Sequence, residues 1–184
     1  MIKKTNISLL GLVIGIVSLF SLPLFVGTAD ADHLRDWGLK MDNTSARFKE
    51  LRKFDYDAVV DKESQLVWDR YPSVDPLNWH AAWTKCFNLE IGGRKGYRLP
   101  AAEEITTLVD TNKKGPALPE GHPFGNIYDP EQFGYRQYWT ATTSNFDPNL
   151  AWFFDVGTGE VNIAIKSSYY NVWCVRGQHG HDGM

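Results

Sequence analysis

Four short runs rich in β-branched and aromatic residues occupy the chain from Tyr138 to Gly177: YWTATTS, LAWFFDV, VNIAIK and YYNVWCVRG. Tight links separate them, the clearest being Gly157-Thr158-Gly159, and Asp147-Pro148-Asn149 is favourable turn chemistry. Runs this short, punctuated this often, predict an antiparallel sheet for the carboxyl half. Because side chains alternate across a strand, Trp173 and Val175 are expected on one face and Cys174 on the other.

Upstream the period changes twice. DYDAVVD and QLVWDR, separated by Lys62-Glu63-Ser64, read as a hairpin. A polar, proline-bearing link, YPSVDPLN, leads into WHAAWTKCFNL, where Trp79, Ala82, Trp83, Cys86 and Leu89 recur at helical spacing behind an Asn78 cap. Gly92-Gly93 ends this amphipathic helix, which is expected to bury Cys86, and Lys85 suits its carboxyl end. A second helix is predicted after GYRLP, with Pro100 in its first turn, Glu103 and Glu104 near its start, and Ile105, Leu108 and Val109 facing the core. Arg98 then stands just ahead of that helix on an extended piece pinned by Leu99. Two roles fit it, an anchor paired with a carboxylate or carbonyls, or an anion ligand, and arginine's planar fork favours the anchor.

Residues Thr111 to Gln137 form a long irregular segment carrying four prolines, four glycines and the aromatics Phe124, Tyr128, Phe133 and Tyr135. Loops of this length inside a compact domain are usually functional or disordered, and the aromatic content favours an ordered, folded-back loop.

At the amino terminus, Lys3 and Lys4 precede an apolar run from Ile7 to Val26 that ends in Ala29-Asp30-Ala31, a secretory signal pattern; an uncleaved anchor is the alternative. Cleavage after Ala31 leaves 153 of the 184 residues, a single-domain length. The organisation expected is a signal segment 1–31, a lead-in 32–54 with a short helix behind Asn43 running through Leu51 and Arg52, a domain 55–177 and a flexible tail 178–184. The lead-in would act as a spacer. A 43% hydrophobic chain with 7 Trp has ample core material, and losing Lys3, Lys4 and Asp30 takes the formal charge from −3 to −4, so nothing overall points to nucleic acid. Two cysteines, Cys86 and Cys174, fall in the exported part; they can form one disulfide, stabilising by roughly 4 kcal/mol in the chain-entropy picture, or remain two buried thiols.

Six spaced blocks, AVVDKESQLVWDR, WHAAWTKCFNL, GGRKGYRLPAAEEITTLVD, YWTAT, AWFFDVGTGEV and VWCVRG, resemble the DUF1566 family, also called the Lcl C-terminal domain family, and more distantly the C-type lectin fold. The resemblance spans about Tyr56 to Gly177. It implies an α+β, C-type lectin-like domain with two helices packed beside antiparallel sheet, a long loop region and a disulfide from the first helix to the last strand, matching Cys86 and Cys174. Two positions depart from the family pattern: a glycine usual in the first hairpin is Gln65, and an aromatic that is usually Trp is Tyr97.

No catalytic constellation stands out, and no enzyme is expected. A nucleophile elbow is missing from the sequence, His80 has no partner motif, and Asp57, Asp61 and Asp69 read as solvated turn residues. No cofactor is expected; Asp147 and Asp155 are weak calcium candidates, and His179, His181 and Asp182 a weaker transition-metal set. Trp79, Trp83, Trp139, Trp152 and Trp173 are assigned to packing together with Pro100. Ligand contacts are expected from Tyr128, Tyr135, Tyr169, Tyr170 and Asn171, and, by resemblance to a family with a member that binds sulfated glycans, from Arg94, Lys95, Lys113, Lys114 and Lys166. The expected function is a secreted, periplasmic or cell-surface binding module for an extracellular glycan or surface protein, touching membrane only if the signal segment is retained. The alternatives are a structural subunit of an envelope or extracellular assembly and a hypervariable ligand-binding protein.

Overall fold

The computed structural model describes residues 43–129, 131 and 134–177, all within the unit Gly38–Met184. The signal segment, the first part of the lead-in, Phe133 and the tail with its histidines lie outside the described residues. Among the described residues, no helix is long and apolar enough to cross a membrane.

The described residues form a mixed α+β architecture, with two five-stranded sheets, a two-stranded hairpin and few helices. The first sheet has the order β1 (Phe48–Glu50), β2 (Ala58–Asp61), β3 (Val67–Asp69), β12 (Val175–Arg176), β5 (Tyr97–Arg98), antiparallel throughout. The second has the order β10 (Glu160–Ile165), β9 (Leu150–Asp155), β8 (Gln137–Thr143), β11 (Tyr170–Val172), β4 (Ser73–Leu77). Strands β6 (Tyr128–Asp129) and β7 (Gly134–Tyr135) form the hairpin.

Alternation along the strands produces two cores rather than one wet face and one dry face. Val59, Trp68, Tyr138, Phe154, Trp173 and Val175 fill one cluster, while their neighbours Ala58, Val60, Val67, Trp139, Phe153, Val172 and Cys174 fill the other. The first cluster is aromatic: the Trp173 ring meets Trp68, Phe124 and Tyr138 at centroid distances of 5.6, 4.9 and 5.2 Å. Leu118, Phe124 and Ile127 reach this core from the long loop, which is thereby folded back onto the domain.

The helix α2 (Trp79–Asn88) starts where the Asn78 side chain accepts the Ala81 N–H at 3.0 Å, and covers the second core with Ala82 and Cys86. Cys86 is joined to Cys174, with 5.4 Å between their Cα atoms. Helix α3 (Ala102–Thr106) is short, and Glu104 in its first turn accepts the Ala101 N–H at 2.8 Å. The same carboxylate takes two bonds from Arg98, at 2.6 and 2.7 Å, and Arg98 also donates to the Gly177 carbonyl. Arg98 therefore ties the helix start to the end of the last strand.

Several expectations are corrected. The helix behind Asn43 is a single turn, α1 (Thr44–Arg47), after which Phe48–Glu50 pairs as an edge strand. The lead-in is no spacer in this stretch, since Arg47, Phe48 and Phe54 are buried. The link YPSVDPLN contains β4, whose Pro76 is tolerated because the strand lies at a sheet edge. The carboxyl half is not one antiparallel sheet: β11 meets β8 in parallel, and the chain changes sheets at Trp173-Cys174. Pro100 precedes the cap residue Ala101 instead of occupying the first turn. Trp83 is not core. It is rotated by about 100° from Ala82 on the helix, 47% exposed, and stacks on Phe87 at 5.5 Å. Asp61 is not a solvated turn residue but fully buried against Arg47.

Candidate functional site

The exposed part of the long loop is held against the link between β3 and β4 by arginine and backbone bonds. Arg70, following β3, donates through Nε to the Pro123 carbonyl and through Nη1 to the Tyr56 carbonyl, both at 3.1 Å, and pairs with Glu50 at 2.7 Å. Its guanidinium lies 5.1 Å from the centre of the Tyr71 ring, close enough for cation–π attraction. Gly125 returns its N–H to the Arg70 carbonyl. A Cβ on Gly125 would lie 2.7 Å from the Tyr71 ring, so only glycine lets the ring rest on this backbone.

Further along, Asn126 donates to the Pro72 carbonyl, and Arg136 bridges the Val74 carbonyl and Asp129 at 3.2 and 3.1 Å. The hairpin sets Tyr128 opposite Tyr135, their rings edge to face at 5.4 Å. Tyr56, Tyr71, Val74 and Tyr128 are each between 44% and 48% exposed. These half-exposed tyrosines, with Tyr71 resting on Gly125 beside the Arg70 guanidinium and Tyr128 packed on Tyr135, offer aromatic surface next to amide and guanidinium groups, suited to a flat amphipathic ligand.

Beneath Tyr71, the Asp69 carboxylate accepts the Tyr71 N–H at 3.0 Å. Burial pushes its pKa up to about 6, partly opposed by that bond and aided by the charge of Asp57. A carboxyl whose folded pKa exceeds its unfolded value stabilises the fold when protonated. Its contribution is full below about pH 4 and is lost as pH rises through about 6, amounting to up to about 3 kcal/mol. Asp69→Asn keeps the acceptor oxygen and removes the titration. The stability of wild type relative to this variant, from urea unfolding at stepped pH, is expected to fall between pH 4 and 7; a flat difference would refute the assignment.

The other candidates are dispersed. Tyr169 is exposed, whereas Tyr170 is half-buried, stacked on Phe153 at 4.2 Å. Asn171, expected at the surface, is buried and donates to the Ser73 and Val74 carbonyls, because this polar group on an inner strand must find partners. Arg94 caps the Lys53 and Gly92 carbonyls and lies over Phe54. Lys95 faces Glu90, Lys113 binds Glu120, Lys166 donates to Thr143 Oγ1 over the Trp79 ring, and Lys114 is exposed. These cations are held by separate elements and are not gathered into one patch.

Among the tryptophans, Trp139 and Trp173 are buried and donate to the Leu77 and Asp69 carbonyls, Trp79 donates to the Thr140 carbonyl, and Trp152 is partly exposed. Asp147 accepts the Asn149 N–H, and Asp155 accepts the Gly157 and Thr158 N–H groups and the Gln137 amide, so both organise turns. Among the described residues there is no group of three or more His, Cys, Asp and Glu side chains able to hold a metal ion.

Sequence reasoning reached Tyr128 and Tyr135 through the aromatic content of the loop and missed Tyr56, Arg70, Tyr71, Asn126 and Arg136. The one available signal was Gly125, a glycine beside a loop aromatic, which marks close approach of something to the backbone. A shallow, open depression of about 610 Å³ along α2, lined by Leu77, His80, Ala81, Thr84, Lys85 and Asn88, offers no comparable convergence of rings and polar groups.

A family model described as the Lcl C-terminal domain matches residues 57–176. No curated protein gives a significant match.

Proposed function

We propose that this chain, which belongs to the Lcl C-terminal domain family, is an exported, non-enzymatic binding module with a C-type lectin-like domain, and that its ligand is an extracellular glycan. The observation that carries the reading is the tyrosine platform, where Tyr71 rests on Gly125 beside Arg70 and Asn126. Sugar rings present apolar C–H faces and peripheral hydroxyls, which such a surface can stack and hydrogen-bond without a metal. The disulfide and the amino-terminal signal pattern support an oxidising compartment, hence a secreted, periplasmic or cell-surface location. A non-catalytic role is supported by the buried carboxylates Asp61 and Glu104, each neutralised by an arginine.

The test is binding of the disulfide-bonded protein to a glycan array that includes sulfated polysaccharides, with calcium and with chelator. Saturable, chelator-insensitive binding is expected, and Tyr71→Ala or Tyr128→Ala should weaken it roughly tenfold, the size of a stacked hot-spot residue. Unchanged affinity in both variants would move the site elsewhere. The second reading, a subunit of an envelope or extracellular assembly, is favoured by the exposed Trp83–Phe87 stack on α2; silence across the array would select it.

A further inference from the structure

Each five-stranded sheet has two edges, and three of the four are blunted in familiar ways. β4 carries Asp75 and Pro76, β1 is three residues long with Lys49 at its centre, and β5 has two residues. β10 is the least protected, its one charged residue, Glu160, lying at its end. It pairs with β9 over six consecutive residues without a bulge, contains no proline, and exposes Ile163 and Ile165.

The hydrogen-bonding phase of this edge follows from its register. The Lys166 N–H donates to the Asn149 carbonyl at 2.8 Å, continuing the β9–β10 ladder, so alternate residues Ala164 and Asn162 also turn their backbone groups inward. Val161, Ile163 and Ile165 turn theirs to the open side. Among the described residues, only the Ile165 carbonyl of this set has a partner, the Ser168 N–H.

We propose that this edge is the pairing surface for a second copy of the chain, with two β10 strands running antiparallel about a two-fold axis through Ile163. In that register Ile163 faces itself, Val161 faces Ile165, Asn162 faces Ala164, and Glu160 faces the second copy's Lys166. The outward backbone groups then meet in phase, with the Ile165 carbonyl accepting the second copy's Val161 N–H beside the Ser168 N–H it already holds. Opposite charges coincide at both ends: among the described residues neither Glu160 nor Lys166 has an ion-pair partner within its own chain, and the Lys166 ammonium, which in the single chain donates to Thr143 Oγ1 over the Trp79 ring, exchanges that neutral acceptor for the carboxylate of the second copy. The side chains of Ile163 and Ile165 share a sheet face with their β9 partners Trp152 and Leu150, both partly exposed, so the symmetric pairing extends one apolar strip across both copies. Charge complementarity in a single register selects a second copy over an unrelated strand. This edge shares no residue with the tyrosine platform, and the proposal stands independently of the glycan reading.

The test is sedimentation velocity of the intact disulfide-bonded protein over a concentration series. A reversible dimer is expected. Glu160→Lys should weaken it roughly tenfold by opposing like charges at both ends, and Glu160→Lys with Lys166→Glu should restore it. Ile163→Lys, which sets two lysines face to face on the axis, should weaken association roughly a hundredfold. A dimer insensitive to all three variants overturns the proposal. So does a monomer throughout the series; slow exchange of the β10 outward amides in that monomer would identify a segment of the chain's own as the edge's cover.

Discussion

Arg47→Ala is expected to lower stability by about 3–5 kcal/mol, because it leaves a charge buried without its counter-ion. Arg47 and Asp61 are both fully buried, joined by Nε–Oδ1 and Nη2–Oδ2 bonds of 2.9 and 2.8 Å. The same arginine donates to the Thr107 carbonyl and pairs with Glu63 at 3.0 Å. Without it, Asp61 retains the Glu63 N–H and the Ser64 hydroxyl, which do not neutralise a carboxylate in the core. Urea unfolding measures the effect. Replacing both partners with apolar residues, as Arg47→Met with Asp61→Leu, is expected to recover much of the loss, since the desolvation cost of both charges disappears. A loss below about 1 kcal/mol for the single variant would mean that the pair behaves as a solvated surface bridge.

Removing the disulfide is the second large effect. Cys86 and Cys174 are 88 residues apart, and opening that loop restores entropy to the unfolded chain, so Cys86→Ala with Cys174→Ala is expected to cost about 2–5 kcal/mol. Wild type unfolded in reductant should approach the same midpoint. Agreement between the two identifies the crosslink as the source; a variant as stable as the oxidised protein would show that the cores suffice.

The elements legible in the sequence were those in which local period and burial coincide. Trp173 and Val175 do face away from Val172 and Cys174, because a strand lying between two cores must alternate. The α2 helix was readable from Asn78 and Cys86. Trp83 was not, since helical spacing alone does not say how wide the buried stripe is, and here Ala82 and Cys86 define a narrow one. β4 was hidden because an edge strand tolerates Pro76 and exposed Asp75, the residues that otherwise signal a link. The change of sheets at Trp173-Cys174 transfers the ladder from one sheet to the other without interrupting the apolar pattern. The Arg47–Asp61 pair and the Arg70–Tyr71–Gly125 contact join residues by tertiary approach, for which no sequence period exists.

Gln65 illustrates the opposite case. Its backbone has φ of 61°, the left-handed conformation that explains a glycine at this position in the family. A side chain there costs roughly 1–2 kcal/mol, offset in part by the Gln65 amide bond to the Lys62 carbonyl.

The link between Cys86 and Cys174 also sets how the domain yields to tension. A pull applied between Asn43 and Gly177 can straighten only the stretches outside the covalent loop, however completely the sheets come apart. The 88 residues of separation it encloses withhold roughly 300 Å of contour length. The stretches outside the loop supply roughly 150 Å, so the oxidised domain reaches only about a third of the extension open to the same chain in a reducing environment.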